Sequence, residues 1–185
     1  MNKRIRIKLV IAFVLLIGAA GLAPASMMTA RAVDNDQTLV LPSPLCDRVQ
    51  VPAGNKVSFH VYARGVQIYR WDGKAWVFVA PSATLFADAN FTGQVGIHYA
   101  GPTWESNSGS TVRATRIADC TPDPTAIPWL RLQSVTTGGP GIFSSVTWVQ
   151  RVNTQGGVAP ATPGDSIGAS AEVPYTADYY FYREE

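Results

Sequence analysis

The fold is decided between residues 57 and 80. They read Val57-Ser58-Phe59-His60-Val61-Tyr62, then Ala63-Arg64-Gly65, then Val66-Gln67-Ile68-Tyr69-Arg70-Trp71, a turn Asp72-Gly73-Lys74-Ala75, and Trp76-Val77-Phe78-Val79-Ala80. Val57, Phe59 and Val61 fall on one side of a period of two, with Ser58, His60 and Tyr62 on the other. That is the pattern of a half-buried strand, and it sets His60 opposite the apolar stripe. Asp72-Gly73 between two runs rich in β-branched and aromatic residues supplies the positive-φ position that a tight hairpin needs.

Outward from this stretch the same grammar repeats. Strands are expected at 84–87, 94–99, 111–117, 130–137, 145–152 and 179–183, all filled with β-branched and aromatic residues. Asn90 to Gly93, Asn107 to Gly109, Gly138-Gly139-Pro140-Gly141 and Gly156-Gly157 punctuate them as turns. No useful window carries the i, i+3, i+4, i+7 spacing of an amphipathic helix, and proline is spread throughout. The chain is therefore read as all-β, a single antiparallel domain. A β-sandwich is favoured over the alternative, a closed β-barrel.

The N-terminus has different chemistry. Lys3, Arg4, Arg6 and Lys8 precede an apolar run from Leu9 to Ala23, the layout of a secretory signal peptide. Ala30-Arg31-Ala32 offers small residues where a signal peptidase reads them, so residues 1–32 are assigned to the signal peptide, with cleavage between Ala32 and Val33 and Ala23-Pro24-Ala25 as second choice. Residues 33–45 come next as an extended lead-in, and residues 46–185 form the all-β domain. The apolar run is short of the roughly 20 residues that a spanning helix needs. An exported protein with no stable membrane insertion after cleavage is expected.

Cleavage also inverts the charge argument. Of 15 basic residues, Lys3, Arg4, Arg6, Lys8 and Arg31 leave with the signal, so ten face the 13 acidic ones. Without a cluster of Lys and Arg, the footprint of a nucleic-acid binder is missing, and so is attraction to an anionic membrane surface. The two cysteines, Cys46 and Cys120, are expected to form a disulfide in an oxidising compartment. Closing so long a loop contributes about 4 to 5 kcal/mol by the chain-entropy estimate. The bulk-poor stretch 153–171 is expected to be a long flexible surface loop.

The stretch with the most chemistry is Gly93 to Ser106. Period two sets His98 with Gln94 and Gly96, away from Val95, Ile97 and Tyr99, so the imidazole is expected to face solvent or a cleft. Gly101-Pro102 then turns the chain and presents Trp104 and Glu105. An imidazole, an indole and a carboxylate in one place make a general base beside an aromatic platform. The competing reading makes the stretch a corner of the scaffold, with Trp104 in the core and His98 in a structural hydrogen bond. Tyr69 and Trp71 are added as nearby aromatics. Alternation splits Tyr179 and Phe181 from Tyr180 and Tyr182, one pair core and the other available as a surface platform for sugar rings or a partner.

Other chemistries find less. Two histidines do not fill a metal's coordination sphere, and Glu105 or Asp88 stand at no ligand spacing to complete it, so no metal is assigned. No Gly-x-Ser-x-Gly elbow occurs. Glu105 could be drawn with Asp178 or Asp88 as a glycosidase pair, but no spacing selects either, and Asp178 is expected to accept hydrogen bonds from backbone or Arg151. No cofactor is expected, since no Gly-x-Gly-x-x-Gly joins a strand to a helix.

Several blocks occur together in order: Gly65-Val66-Gln67-Ile68-Tyr69; His98-Tyr99-Ala100-Gly101-Pro102-Thr103-Trp104-Glu105; Gln150-Arg151-Val152-Asn153-Thr154 with Gly156-Gly157; and Val173-Pro174-Tyr175-Thr176-Ala177-Asp178-Tyr179-Tyr180-Phe181-Tyr182. They resemble the secreted bacterial and fungal family called domain of unknown function 3455, over nearly the whole mature chain. The resemblance implies export and brings no chemistry. It also implies that relatives carry two bridged cysteines where this chain has Trp71 and the region Pro163-Gly164-Asp165, which leaves the 153–171 loop freer here.

The expected function is that of an exported, non-catalytic binding or surface-interaction module. Its ligand site is assigned to His98, Trp104, Glu105, Tyr69 and Trp71, and a saccharide or other cell-envelope ligand is the expected partner. The alternatives are an extracellular hydrolase using His98 or Glu105 as acid or base, and a purely structural protein.

Overall fold

The computed structural model describes residues 39–185; the expected signal peptide and its expected cleavage between Ala32 and Val33 lie outside the described residues. Eight strands succeed one another: β1 (Asn55–Trp71), β2 (Trp76–Phe86), β3 (Gln94–Tyr99), β4 (Thr103–Ser106), β5 (Thr111–Cys120), β6 (Trp129–Gly138), β7 (Trp148–Gly156) and β8 (Ser170–Glu184). Each pairs antiparallel with the next, and β8 pairs back on β1 from Asn55↔Glu184 to Arg70↔Ser170. The all-β, single antiparallel reading holds. The favoured sandwich does not, because the β1–β8 ladder closes the sheet into the alternative, a barrel. No helix among the described residues is long and apolar enough to cross a bilayer.

Closure explains why β1 is longer than the sequence pattern suggests. Residues 57–62 and 66–71, which read as separate strands around Gly65, are one strand of 17 residues. β1 hydrogen-bonds to β8 along its length and to β2 over Tyr62–Trp71, so Gly65 is held from both sides. Glycine is needed there for proximity: a Cβ at residue 65 would lie 2.1 Å from the Ser82 carbonyl oxygen. Bulges at Val57/Phe59 and Ile68/Tyr69 turn the strand around the barrel.

The interior is filled by one side of each strand, including Phe59, Val61, Ala63, Leu85, Trp104, Val112, Leu132, Val149, Tyr179 and Phe181. One end is stoppered by the β6–β7 connection. Its Phe143 is buried against Phe59 and Phe181, and the Phe143 backbone N–H donates to the Ser110 hydroxyl. Burying a side chain of this size stabilises the fold by about 2 to 3 kcal/mol.

The lead-in has a role that its sequence does not disclose. Leu39, Leu41, Val49 and Val51 pack on the outer face, over Ala118, Trp129, Val152, Tyr180 and Tyr182. The Cys46–Cys120 disulfide fixes this strap to the end of β5. Gln150 Nε2 donates to the Val49 carbonyl while the Tyr182 hydroxyl donates to Gln150 Oε1, both at 2.7 Å. Tyr180 and Tyr182 are buried under the strap, and Tyr179 and Phe181 inside the barrel. The expected exposed Tyr platform is covered by the chain's own N-terminal strap.

The loop expected over 153–171 is shorter and anchored. Residues 153–156 extend β7, and Ser170 opens β8. Between them, the Trp76 indole N–H donates to the Thr162 carbonyl at 2.8 Å, and Gly168 and Ala169 exchange backbone hydrogen bonds with Trp71. Gly164 lies so close under Trp71 that a Cβ there would sit 2.7 Å from the Trp71 Cβ. The two regions that the resemblance pairs are thus adjacent, and here tryptophan packing ties the loop down.

Candidate functional site at the barrel mouth

The barrel end opposite Phe143 carries the turns after β1, β3, β5 and β7 and opens into a cavity of about 460 Å³. Tyr69 from β1, His98 from β3, Trp104 from β4, Leu132 from β6, Arg151 from β7 and Tyr179 from β8 all reach it, together with Gln67. Phe78, Val79, Pro102 and Pro128 line its apolar rim.

His98 is inside, contrary to the expectation that it faces away from the core. Its relative exposure is 3%, whereas Ile97 and Tyr99 are exposed at 41% and 36%. Cross-strand register decides this. His98 lies opposite Ala83 on β2 and Trp104 on β4, both inward-facing. The small alanine leaves room for the imidazole, and the indole stacks on it with ring centroids 4.3 Å apart and planes within 9°. Its Nδ1–H donates to the Thr103 carbonyl at 2.8 Å, which leaves Nε2 as the acceptor of a neutral ring. Burial pulls its pKa down to about 3, and the Arg151 cation pushes in the same direction against the Thr103 hydrogen bond. The ring is therefore neutral at any physiological pH and far from the value suited to a general base.

Glu105 does not join it. Alternation along β4 sends Trp104 inward and Glu105 to the outer face, where its Oε2 accepts from the Tyr99 hydroxyl at 2.9 Å. The expected meeting of imidazole, indole and carboxylate is reduced to the first two. The barrel wall stands between His98 and the carboxylate. Gly101-Pro102 does turn the chain, but the residues beyond it form β4, a short strand where the sequence pattern shows only a turn.

Of the remaining expected residues, Tyr69 lines the cavity and its hydroxyl donates to the Gly157 carbonyl at 2.7 Å. Trp71 lies outside, edge-on to Trp76 at 5.5 Å over Gly164. His60 is on the outer face, stacked on Tyr180 at 4.1 Å, with Nε2 3.7 Å from Asp178. Asp178 accepts from Asn153 Nδ2 at 2.7 Å and not from Arg151, whose guanidinium turns inward to the Pro128 carbonyl. Among the described residues no three His, Cys, Asp or Glu side chains gather as a metal site would require.

Sequence reasoning missed the polar half of the cavity. Gln67, Trp104 and Tyr179 are each at least 97% buried, and the Gln67 amide nitrogen, the Trp104 indole nitrogen and the Tyr179 hydroxyl have no hydrogen-bond partner. The Tyr175 hydroxyl lies between Tyr179 and Gln67, close enough for loose hydrogen bonds to both, and burial raises its pKa. Buried polar groups are nearly always paired, because an unmade bond costs about 1 to 3 kcal/mol. Gln67, Trp104 and Tyr179 line the same cavity, which gives a ligand or solvent a place beside these groups. Part of the signal was present in the sequence: Gln67 shares a strand face with Val61, Ala63 and Tyr69 and interrupts that apolar stripe.

The model of a family described as protein of unknown function (DUF3455) matches residues 52–183. No curated protein matches the chain, and no solved structure does.

Proposed function

The chain belongs to the DUF3455 family, and we propose that it acts as an exported, non-catalytic binding protein that takes a small molecule into the mouth of its barrel. One observation carries the reading: the cavity of about 460 Å³ has an apolar rim and buried, unpartnered donors on Gln67, Trp104 and Tyr179. Small-molecule sites span about 300 to 1,000 Å³ and combine apolar walls with a few fixed polar groups. An eight-stranded barrel is wide enough to hold one such ligand.

His98, Trp104 and Tyr69 keep their assigned place in the site, and Gln67, Arg151 and Tyr179 join them. Glu105 and Trp71 leave it. A saccharide stacked on Tyr180 and Tyr182 has lost its support, since both lie under the strap. Hydrolysis by His98 or Glu105 as acid or base has little support: the imidazole is buried and neutral, and the carboxylate lies on the outer face, away from the cavity. For export, the support is the basic and apolar start of the chain and a disulfide, which belongs to oxidising compartments.

A thermal-shift screen of the purified protein against metals, glycans and small organic metabolites tests the binding reading. Small organic ligands are expected to raise the melting temperature and to do so less in Gln67→Leu. A screen without a single stabilising compound would count against the proposal.

A further inference from the structure

We propose that the ligand of the barrel mouth is a small organic carboxylate with an apolar body, its carboxylate held by Arg151. The proposal rests on the binding reading above and names the ligand's chemistry.

The cavity is charged in one sense only: Arg151 and Arg116 line it, and no aspartate or glutamate does. Arg116 is exposed and already paired with Asp119 at 2.7 Å. Arg151 is half-buried inside β7, and no carboxylate among the described residues forms a salt bridge with it. Its Nε and one Nη donate to the Pro128 carbonyl at 3.1 and 2.8 Å, which immobilises the guanidinium and leaves the other amino group available. A cation drawn out of water needs a counter-charge or dense hydrogen bonding, and a guanidinium fork fits a carboxylate better than any other common anion except phosphate.

The other polar atoms agree in sign. Trp104 Nε1 has no partner and can only donate, and Gln67 Nε2 and the Tyr179 hydroxyl, each able to donate, make no more than a loose contact with Tyr175. Such a set suits oxygens with several lone pairs to fill. His98 adds no positive charge of its own, because its ring is neutral, so Arg151 is the single interior cation among the described residues. The rest of the wall, with Phe78, Val79 and Leu132, is apolar and offers a phosphate ester's polar remainder nothing to bind. A carboxylate on a hydrocarbon or aromatic body matches both halves.

The test uses protein purified after expression of the full chain, with naphthylacetate and its uncharged analogue naphthylacetamide as calorimetric probes. The acid is expected to bind at least about tenfold more tightly, in line with a charge-assisted bond in place of a neutral one. Arg151→Gln should abolish the preference by bringing the acid's affinity down to that of the amide, and Arg151→Lys should restore part of it. Equal affinities, or a preference that survives Arg151→Gln, overturn the assignment and leave the binding reading standing. Should Arg151→Gln not fold, Gln67→Leu serves instead, with a several-fold loss for the acid expected and an unchanged affinity contradicting the proposal. If neither probe binds, the compounds that stabilise the protein in the thermal screen decide. Hits without an acid group overturn the carboxylate, and a screen without hits overturns the binding reading beneath it.

Discussion

The imidazole of His98 lies flat on the indole of Trp104, with ring centroids 4.3 Å apart, as a cross-strand pair between β3 and β4. The pair sits inside the barrel, at the base of its mouth. That placement makes His98 a neutral wall residue and turns the most conspicuous histidine of the sequence into a pH liability for the fold.

The folded protein holds His98 unprotonated down to about pH 3, while the unfolded chain takes up the proton near the ordinary value of 6.5. Between these values the unfolded state binds the extra proton, so stability is fully present above pH 6.5 and falls as the pH drops. The slope is about 1 kcal/mol per pH unit. Urea denaturation at pH 7, 6, 5 and 4 measures it. His98→Gln is expected to flatten the curve between pH 6 and 4, and identical slopes in the two proteins would show that His98 is not buried in this way.

Trp104 and Glu105 are adjacent in sequence and opposite in consequence. Trp104→Ala empties a fully buried site and should cost about 3 to 5 kcal/mol. Glu105→Gln removes a charge on the outer face but keeps an acceptor for the Tyr99 hydroxyl, and should stay within about 0.5 kcal/mol. Equilibrium unfolding separates them, and comparable losses would place both on one face.

The strap over the outer face depends on Cys46–Cys120. Cys120→Ser, or reduction of the bridge, should lower stability by about 2 to 5 kcal/mol. It should also raise the hydrogen exchange of the Tyr180 and Tyr182 amides, which the strap covers. Unchanged exchange would mean that the strap holds without its bridge.

Two glycines distinguish crowding from conformation. A Cβ at Gly65 meets the Ser82 carbonyl at 2.1 Å, whereas one at Gly109 meets nothing within 4 Å and suffers only its φ of +82°. Gly65→Ala should therefore cost more than about 3 kcal/mol or prevent folding, and Gly109→Ala about 1 kcal/mol. Thermal denaturation of the pair checks the order.

Much of the fold was legible because strands announce themselves locally. Period two in Val57-Phe59-Val61 and the Asp72-Gly73 turn require no knowledge of distant residues. In the structure the Asp72 carboxylate accepts from the Lys74 and Ala75 amides, as a turn of that kind demands. Closure was not legible, because sandwich and barrel strands alternate alike and only the β1–β8 ladder distinguishes them. The face of His98 was hidden for a related reason. Ile97 and Tyr99 are apolar yet exposed, and what buries His98 is its register with Ala83 and Trp104, a long-range fact. Tyr180 and Tyr182 hide beneath a strap whose own sequence shows no periodicity.

The central claim, that a ligand enters the barrel mouth and meets the unpartnered donors there, is tested most directly by the indole N–H signals of the five tryptophans in an ¹⁵N–¹H spectrum during titration with naphthylacetate. A saturable shift of the Trp104 signal is expected as its buried N–H gains an acceptor, with Trp129 and Trp148 on the outer face unmoved. Shifts at Trp129 and Trp148 with Trp104 unchanged would contradict it.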